Sequence, residues 1–138
     1  MDIREITPRY SVSPQINPED LAAIKAAGFT KVICNRPDEE IPASHQASVM
    51  QAAADRAGLE FFALPLTHQT MTPENVSVQM AAIDASEGPV LAYCASGTRC
   101  SVIWALAQVG QLSADEILTT TMRAGYDLSG LRPRLEQG

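Results

Sequence analysis

Three short runs rich in β-branched or aromatic residues, Lys31-Val-Ile-Cys34, Glu60-Phe-Phe-Ala-Leu64 and Val90-Leu-Ala-Tyr93, alternate with Ala-rich stretches of helical spacing. The runs predict buried strands. Asn17-Pro18-Glu19-Asp20 and Thr72-Pro73-Glu74 each place Pro at a first helical position, and Ser113-Ala-Asp-Glu116 reads as a capping box. With Gly28, Gly58 and Gly125 as C-terminal stops, helices are expected over roughly 18–27, 43–57, 73–86, 100–110, 114–124 and 128–136. Residues 3–6 and 10–13 look like two short antiparallel strands. Strands joined by crossover helices imply an α/β fold with a central, mainly parallel sheet flanked by helices on both faces. Ligands should then bind beyond the C-terminal ends of the strands.

At 138 residues, with no linker, repeat or low-complexity tract, the chain reads as one domain over 1–138. Its charge, ten Lys plus Arg against sixteen Asp plus Glu, has the wrong sign for neutralising nucleic-acid phosphates or an acidic membrane surface. No apolar run approaches the roughly 20 residues of a membrane span, and residues 1–9 are charged rather than leader-like, so the expected setting is the cytoplasm. Three cysteines, an odd number, argue against a disulfide framework. No Cys-x-x-Cys occurs, and His45 and His68 are not spaced as metal ligands. What remains is thiol chemistry that needs neither metal nor cofactor.

The segment Val90-Leu-Ala-Tyr-Cys94-Ala-Ser-Gly-Thr-Arg99-Cys-Ser reads as strand, loop and helix. Gly97 allows the turn, and the helix start leaves backbone N–H groups unpaired, which is the makings of an oxyanion nest. Cys94 at its base would feel the helix N-terminus and the Arg99 guanidinium, both of which favour the thiolate. A free thiol titrates at about 8.5, and comparable settings lower that to roughly 3.5–7.5. Cys94 is therefore the expected nucleophile, with Arg99 gripping two oxygens of the bound group and Ala95, Ser96, Gly97 and Thr98 lining it.

Leu91-Ala-Tyr-Cys-Ala-Ser-Gly-Thr-Arg-Cys-Ser, Ile103-Trp-Ala-Leu-Ala107, Val32-Ile-Cys-Asn-Arg-Pro-Asp-Glu39 and Tyr10-Ser-Val-Ser-Pro-Gln15 together resemble the phosphatase-like domain of bacterial beta-lactamase-hydrolase-like proteins. That resemblance implies a dual-specificity (tyrosine) phosphatase-like fold and either phosphatase or sulfur-transferase chemistry. It also implies an occasional persulfide-handling partner, because some members are fused to a persulfide-oxidising metallo-hydrolase domain. Cys94 and Arg99 match the family motif. Tyrosine phosphatases, however, place five residues between Cys and Arg, whereas this chain has four, a length similar to the loop of rhodanese-type sulfurtransferases.

A monoester phosphatase also benefits from a general acid on a neighbouring loop. No Asp lies between Phe61 and Ile83, which leaves His68 in Pro65-Leu-Thr-His-Gln, with Asp115 or Glu116 as distant substitutes. Sulfane-sulfur transfer needs no such acid. The sequence therefore favours rhodanese-like transfer from a small sulfur donor, with hydrolysis of a phosphorylated substrate as the alternative and an anion-sensing pseudo-enzyme third.

Around this centre, Arg36 either recruits an anionic substrate or is tied down by the acidic run Asp38-Glu39-Glu40, and Asn35 could bond to the catalytic loop. Ser101 is a candidate support for the thiolate. Cys34 ends a strand expected beside that of Cys94, and is either a resolving thiol or a buried core residue. Cys100 is expected to point aside into the core, and His45 to face solvent.

Overall fold

The computed structural model describes residues 1–137. Five strands form one sheet in the order β1-β2-β5-β3-β4: β1 (Arg4–Thr7), β2 (Tyr10–Ser13), β3 (Lys31–Cys34), β4 (Glu60–Ala63) and β5 (Val90–Tyr93). Among the described residues the β1–β2 hairpin alone is antiparallel; β2–β5, β5–β3 and β3–β4 are parallel. The β-branched and apolar run of β5 earns its central place, since all four of its residues are buried, as are those of β3.

Helices cover both faces. On one, α1 (Leu21–Ala26) and α2 (Ala47–Ala57) pack Leu21, Ile24, Met50 and Ala54 against Val32, Cys34, Leu91 and Tyr93. On the other, α3 (Pro73–Asp84), α4 (Thr98–Ala107), α5 (Ala114–Arg123) and α6 (Arg132–Leu135) gather over Tyr10, Val12, Ile33, Val90 and Ala92. The alternation along β3 and β5 sends successive side chains to opposite cores. Helix α4 lies inside the second core, with every residue from Arg99 to Ala105 buried. Each fully buried Ile or Leu there contributes about 1.5–3 kcal/mol relative to exposure.

Several helix boundaries differ from the sequence pattern for local reasons. The helix expected from 43 begins at Ala47, because Gln46 is extended (φ −68°, ψ 162°) and Ala43–His45 forms only a 3-10 turn. The segment 18–27 likewise splits into a 3-10 turn at Pro18–Asp20 and α1. The helix expected over 128–136 is a 3-10 turn, Ser129–Leu131, running into one turn of α6. No helix among the described residues is long and apolar enough to cross a membrane.

Candidate active site

Beyond Tyr93 the chain keeps its place beside β2, with the Cys94 N–H donating to Ser13 O at 3.4 Å. It then turns at Gly97 (φ +93°) into α4, whose first turn begins at Thr98, two residues earlier than the sequence pattern suggests. Glycine is required there twice over. Its φ is left-handed, and a Cβ at this position would run into the Tyr126 hydroxyl, which itself donates to Ser96 O at 2.9 Å.

The loop so formed encloses the Cys94 sulfur. Gly97 N–H donates to Sγ at 3.1 Å. The thiol pKa is pulled down to about 5, first by the Cys100 thiol beside it, opposed by burial, and further by the N–H groups of Cys100, Gly97 and Ser96. At neutral pH Cys94 is thus a thiolate, buried at the base of the loop (1% exposed).

Arg99 is fixed from three directions. Nη1 donates to Glu40 Oε2 and to Leu66 O, both at 2.8 Å, and Nη2 donates to Glu40 Oε1 at 2.8 Å. A guanidinium has five N–H groups. Among the described residues, the Nε–H and the second Nη2–H have no protein acceptor, and these two donors share one edge of the planar group. That edge is a ready fork for two oxygens of a tetrahedral anion. Glu40, whose carboxyl is held below its usual range by Arg99 above all, thereby orients the arginine rather than competing for that edge.

A pocket of about 450 Å³ opens above the loop, walled by Ala95, Ser96, Thr98, Arg99, Glu40, Thr67, His68 and Gln69. Ala95, Ser96 and Thr98 stand where the sequence suggested; Gly97 contributes its N–H to Cys94 rather than a wall. His68 is exposed on the rim. Asp115 is bound to Arg132 and Glu116 caps α5 at Ser113, so neither reaches the pocket. Among the described residues, no group of three His, Cys, Asp or Glu is gathered to hold a metal.

The phosphatase-like domain of the beta-lactamase hydrolase-like proteins matches residues 2–111. The chain belongs to this family. A beta-lactamase hydrolase-like protein of Xylella fastidiosa (strain Temecula1) is 34% identical over 130 residues, covering 93% of this chain but 30% of that protein. The relative from Agrobacterium fabrum is 28% identical over 134 residues, covering 96% of this chain and 31% of that protein. The chain therefore spans about 30% of the curated relatives it matches. Among solved structures, a proposed phosphatase of Neisseria meningitidis superposes with TM-score 0.89 at 32% identity, over 99% of this chain and 98% of that one. Pseudomonas aeruginosa TpbA, solved with pTyr, superposes with TM-score 0.66 at 19% identity, covering 99% and 91% of the two chains, which shows a shared phosphatase fold.

Several site expectations for this phosphatase-like domain need correction. Cys34 does sit on the strand next to that of Cys94, but its register partner is Tyr93, so its side chain lies in the opposite core. It cannot serve as the resolving thiol, because the sheet separates the two sulfurs. Cys100 does lie in the core, fully buried, but it is not idle there, because its thiol is the main influence lowering the Cys94 pKa. Ser101 does not support the thiolate, since its hydroxyl donates to Gly97 O at 2.9 Å. Arg36 is tied down, bonding to Glu40 at 3.1 Å and Gln15 at 3.3 Å. Asn35 bonds to Leu64 O and Gln79 rather than to the loop. His45 is half-buried, between Ser44 and Asn17. Glu40 went unnoticed as a partner of Arg99; only its acidic run, opposite Arg36, gave any signal.

Proposed function

We propose that this domain hydrolyses phosphate monoesters through a covalent intermediate on Cys94. The observation that carries the reading is the Arg99 fork: two donors on one edge of a guanidinium whose other three N–H groups are taken by Glu40 and Leu66, beside a loop that holds a thiolate. The family membership and the phosphatase fold of the solved structures support it over the sulfur transfer that the short loop first suggested.

In the first step the Cys94 thiolate attacks phosphorus, the S–P bond forms, and the ester P–O bond breaks. Loop N–H groups and the Arg99 fork hold the equatorial oxygens as charge develops on them. A proton passes from His68 on the rim to the departing alkoxide or phenoxide. In the second step water attacks phosphorus, the S–P bond breaks, and the water proton passes to His68 as inorganic phosphate forms. The thiolate returns as a good leaving group because Cys100 and the loop N–H groups stabilise it.

The deciding experiment pairs two assays with trapping. Phenolate release from an aryl phosphate, of the class of the pTyr bound by TpbA, and thiocyanate formation from thiosulfate and cyanide are measured on one preparation, and the acid-quenched Cys94 peptide is weighed. The expected result is phenolate release with a phosphoryl adduct on Cys94. Thiocyanate as the main product, with a persulfide on Cys94, would restore sulfur transfer, which the four-residue loop and the missing Asp favour. Sulfate binding without either product would leave an anion sensor.

A further inference from the structure

Beneath the loop runs a circuit of buried polar groups. The Tyr10 hydroxyl donates to Cys100 O at 2.8 Å and accepts from Gln79 Nε2 at 3.2 Å. The Gln79 and Asn35 amides then bond to each other reciprocally, Gln79 Nε2 to Asn35 Oδ1 at 2.9 Å and Asn35 Nδ2 to Gln79 Oε1 at 3.0 Å. Asn35 continues into the β4–α3 connection, its Nδ2 donating to Leu64 O and its own carbonyl accepting Leu66 N–H, both at 2.9 Å. Leu66 O closes the path by accepting from Arg99 Nη1. The chain of bonds thus leaves the backbone at Cys100 and returns to the side chain of Arg99, its sequence neighbour. Tyr10, Asn35, Gln79, Leu66 and Cys100 are each no more than 1% exposed.

The geometry points to Gln79 as a positioning residue: at the middle of this ring, it holds, through Tyr10, the Cys100 carbonyl in the first turn of α4 next to the Cys94 loop and, through Asn35 and Leu66, the Arg99 guanidinium at the pocket. A satisfied polar ring adds little net stability over an apolar core of the same shape, so what it contributes here is orientation. Two features of the site depend on that orientation. The Cys100 thiol and N–H both act on Cys94, and the oxyanion edge of Arg99 is set by which acceptors hold its other N–H groups. Burial keeps the Tyr10 phenol protonated, hence always a donor to Cys100. The inference deepens the phosphate-hydrolysis reading, and its first readout does not depend on turnover.

The test replaces Gln79 by Met, similar in size and without an amide, and follows iodoacetamide alkylation of Cys94 against pH in the full chain. The wild-type midpoint of about 5 should rise by about one unit in Gln79→Met as the Cys100 peptide loosens. Protection of Cys94 by inorganic phosphate should weaken several-fold, and aryl phosphate kcat/KM should fall about tenfold or more. Should Gln79→Met fail to fold, Tyr10→Phe breaks the same ring by removing one oxygen and should move the midpoint in the same direction. Where both fold, the double variant should lose less than the sum of the singles, since a second cut in an open ring frees little more. A folded Gln79→Met or Tyr10→Phe with unchanged midpoint and unchanged phosphate protection, losing only thermal stability, overturns the inference. A shifted midpoint in a protein that hydrolyses no phosphate would keep the ring and discard the reaction.

Discussion

Cys34 and Cys94 end adjacent parallel strands on one edge of one sheet, yet the protein gives them opposite chemistry. Burial pushes the Cys34 thiol up, the Tyr93 hydroxyl only partly offsetting it, and its Sγ reaches the Arg36 carbonyl at 3.4 Å. Cys94, equally buried, is pulled down to about 5. The difference lies in what each strand leads into. After Cys34 the chain continues as Asn35-Arg36-Pro37 into a 3-10 turn, and the thiol meets a carbonyl. After Cys94 it turns at Gly97 into a buried helix, where the sulfur accepts from the Gly97 N–H and the Cys100 thiol favours its ionised form. On the proposed reading, a strand-end cysteine becomes a nucleophile through the turn that follows it, and through falling on the face that this turn covers.

The largest expected effect separates the two residues outright. Cys94→Ser should abolish turnover, by about a thousandfold or more in kcat, with the fold retained, because a hydroxyl does not ionise in this range. Cys34→Ser should leave kcat/KM within about twofold, as a core substitution away from the chemistry. Steady-state kinetics with circular dichroism on both variants make the check; equal losses would erase the distinction.

Arg99→Lys comes next, at about 2–4 kcal/mol of transition-state stabilisation, since a point charge cannot present a two-donor edge. Glu40→Gln is milder. The amide still accepts one bond from Arg99 but loses the charge and the paired geometry, and kcat/KM should drop about tenfold. If Glu40→Gln instead raises activity, Glu40 blocks the fork rather than aiming it. The smallest effect sharpens the comparison across the sheet: after mild peroxide, peptide mapping should find no Cys34–Cys94 disulfide. Any that appeared in the folded protein would contradict the two-core arrangement.

The fold was largely legible because its signals are local. The runs at 31–34 and 90–93 are strands at their predicted bounds, Thr72 caps α3 through Asn75 N–H, and Ser113 and Glu116 form the expected box. Cys94, Arg99 and Gly97 were legible for the same reason, lying in one short strand-loop-helix segment. The failures come where contact is remote or parity matters. Cys34 and Cys94 end strands one residue out of step, and one residue in a strand exchanges the faces. Glu40 is 59 positions from Arg99, and Gln79 is 69 from Tyr10. No periodicity along the chain encodes such meetings. The Ser101 expectation fails because a hydroxyl two residues past the arginine can serve the helix start as readily as the sulfur, and here it donates to Gly97 O.

Cysteine-resolved alkylation across the acidic and neutral range tests the central claim most directly. A small neutral iodoacetamide is used, and each cysteine peptide is quantified separately. The thiolate is the reactive form, so labelling of Cys94 should rise with pH through a midpoint near 5 and level off above it. Cys34 and Cys100, both pushed up by burial, should stay unlabelled throughout. A Cys94 midpoint in the ordinary thiol range at about 8.5, or Cys34 labelling before Cys94, would contradict the assignment of Cys94 as the nucleophile of an oxyanion-binding loop.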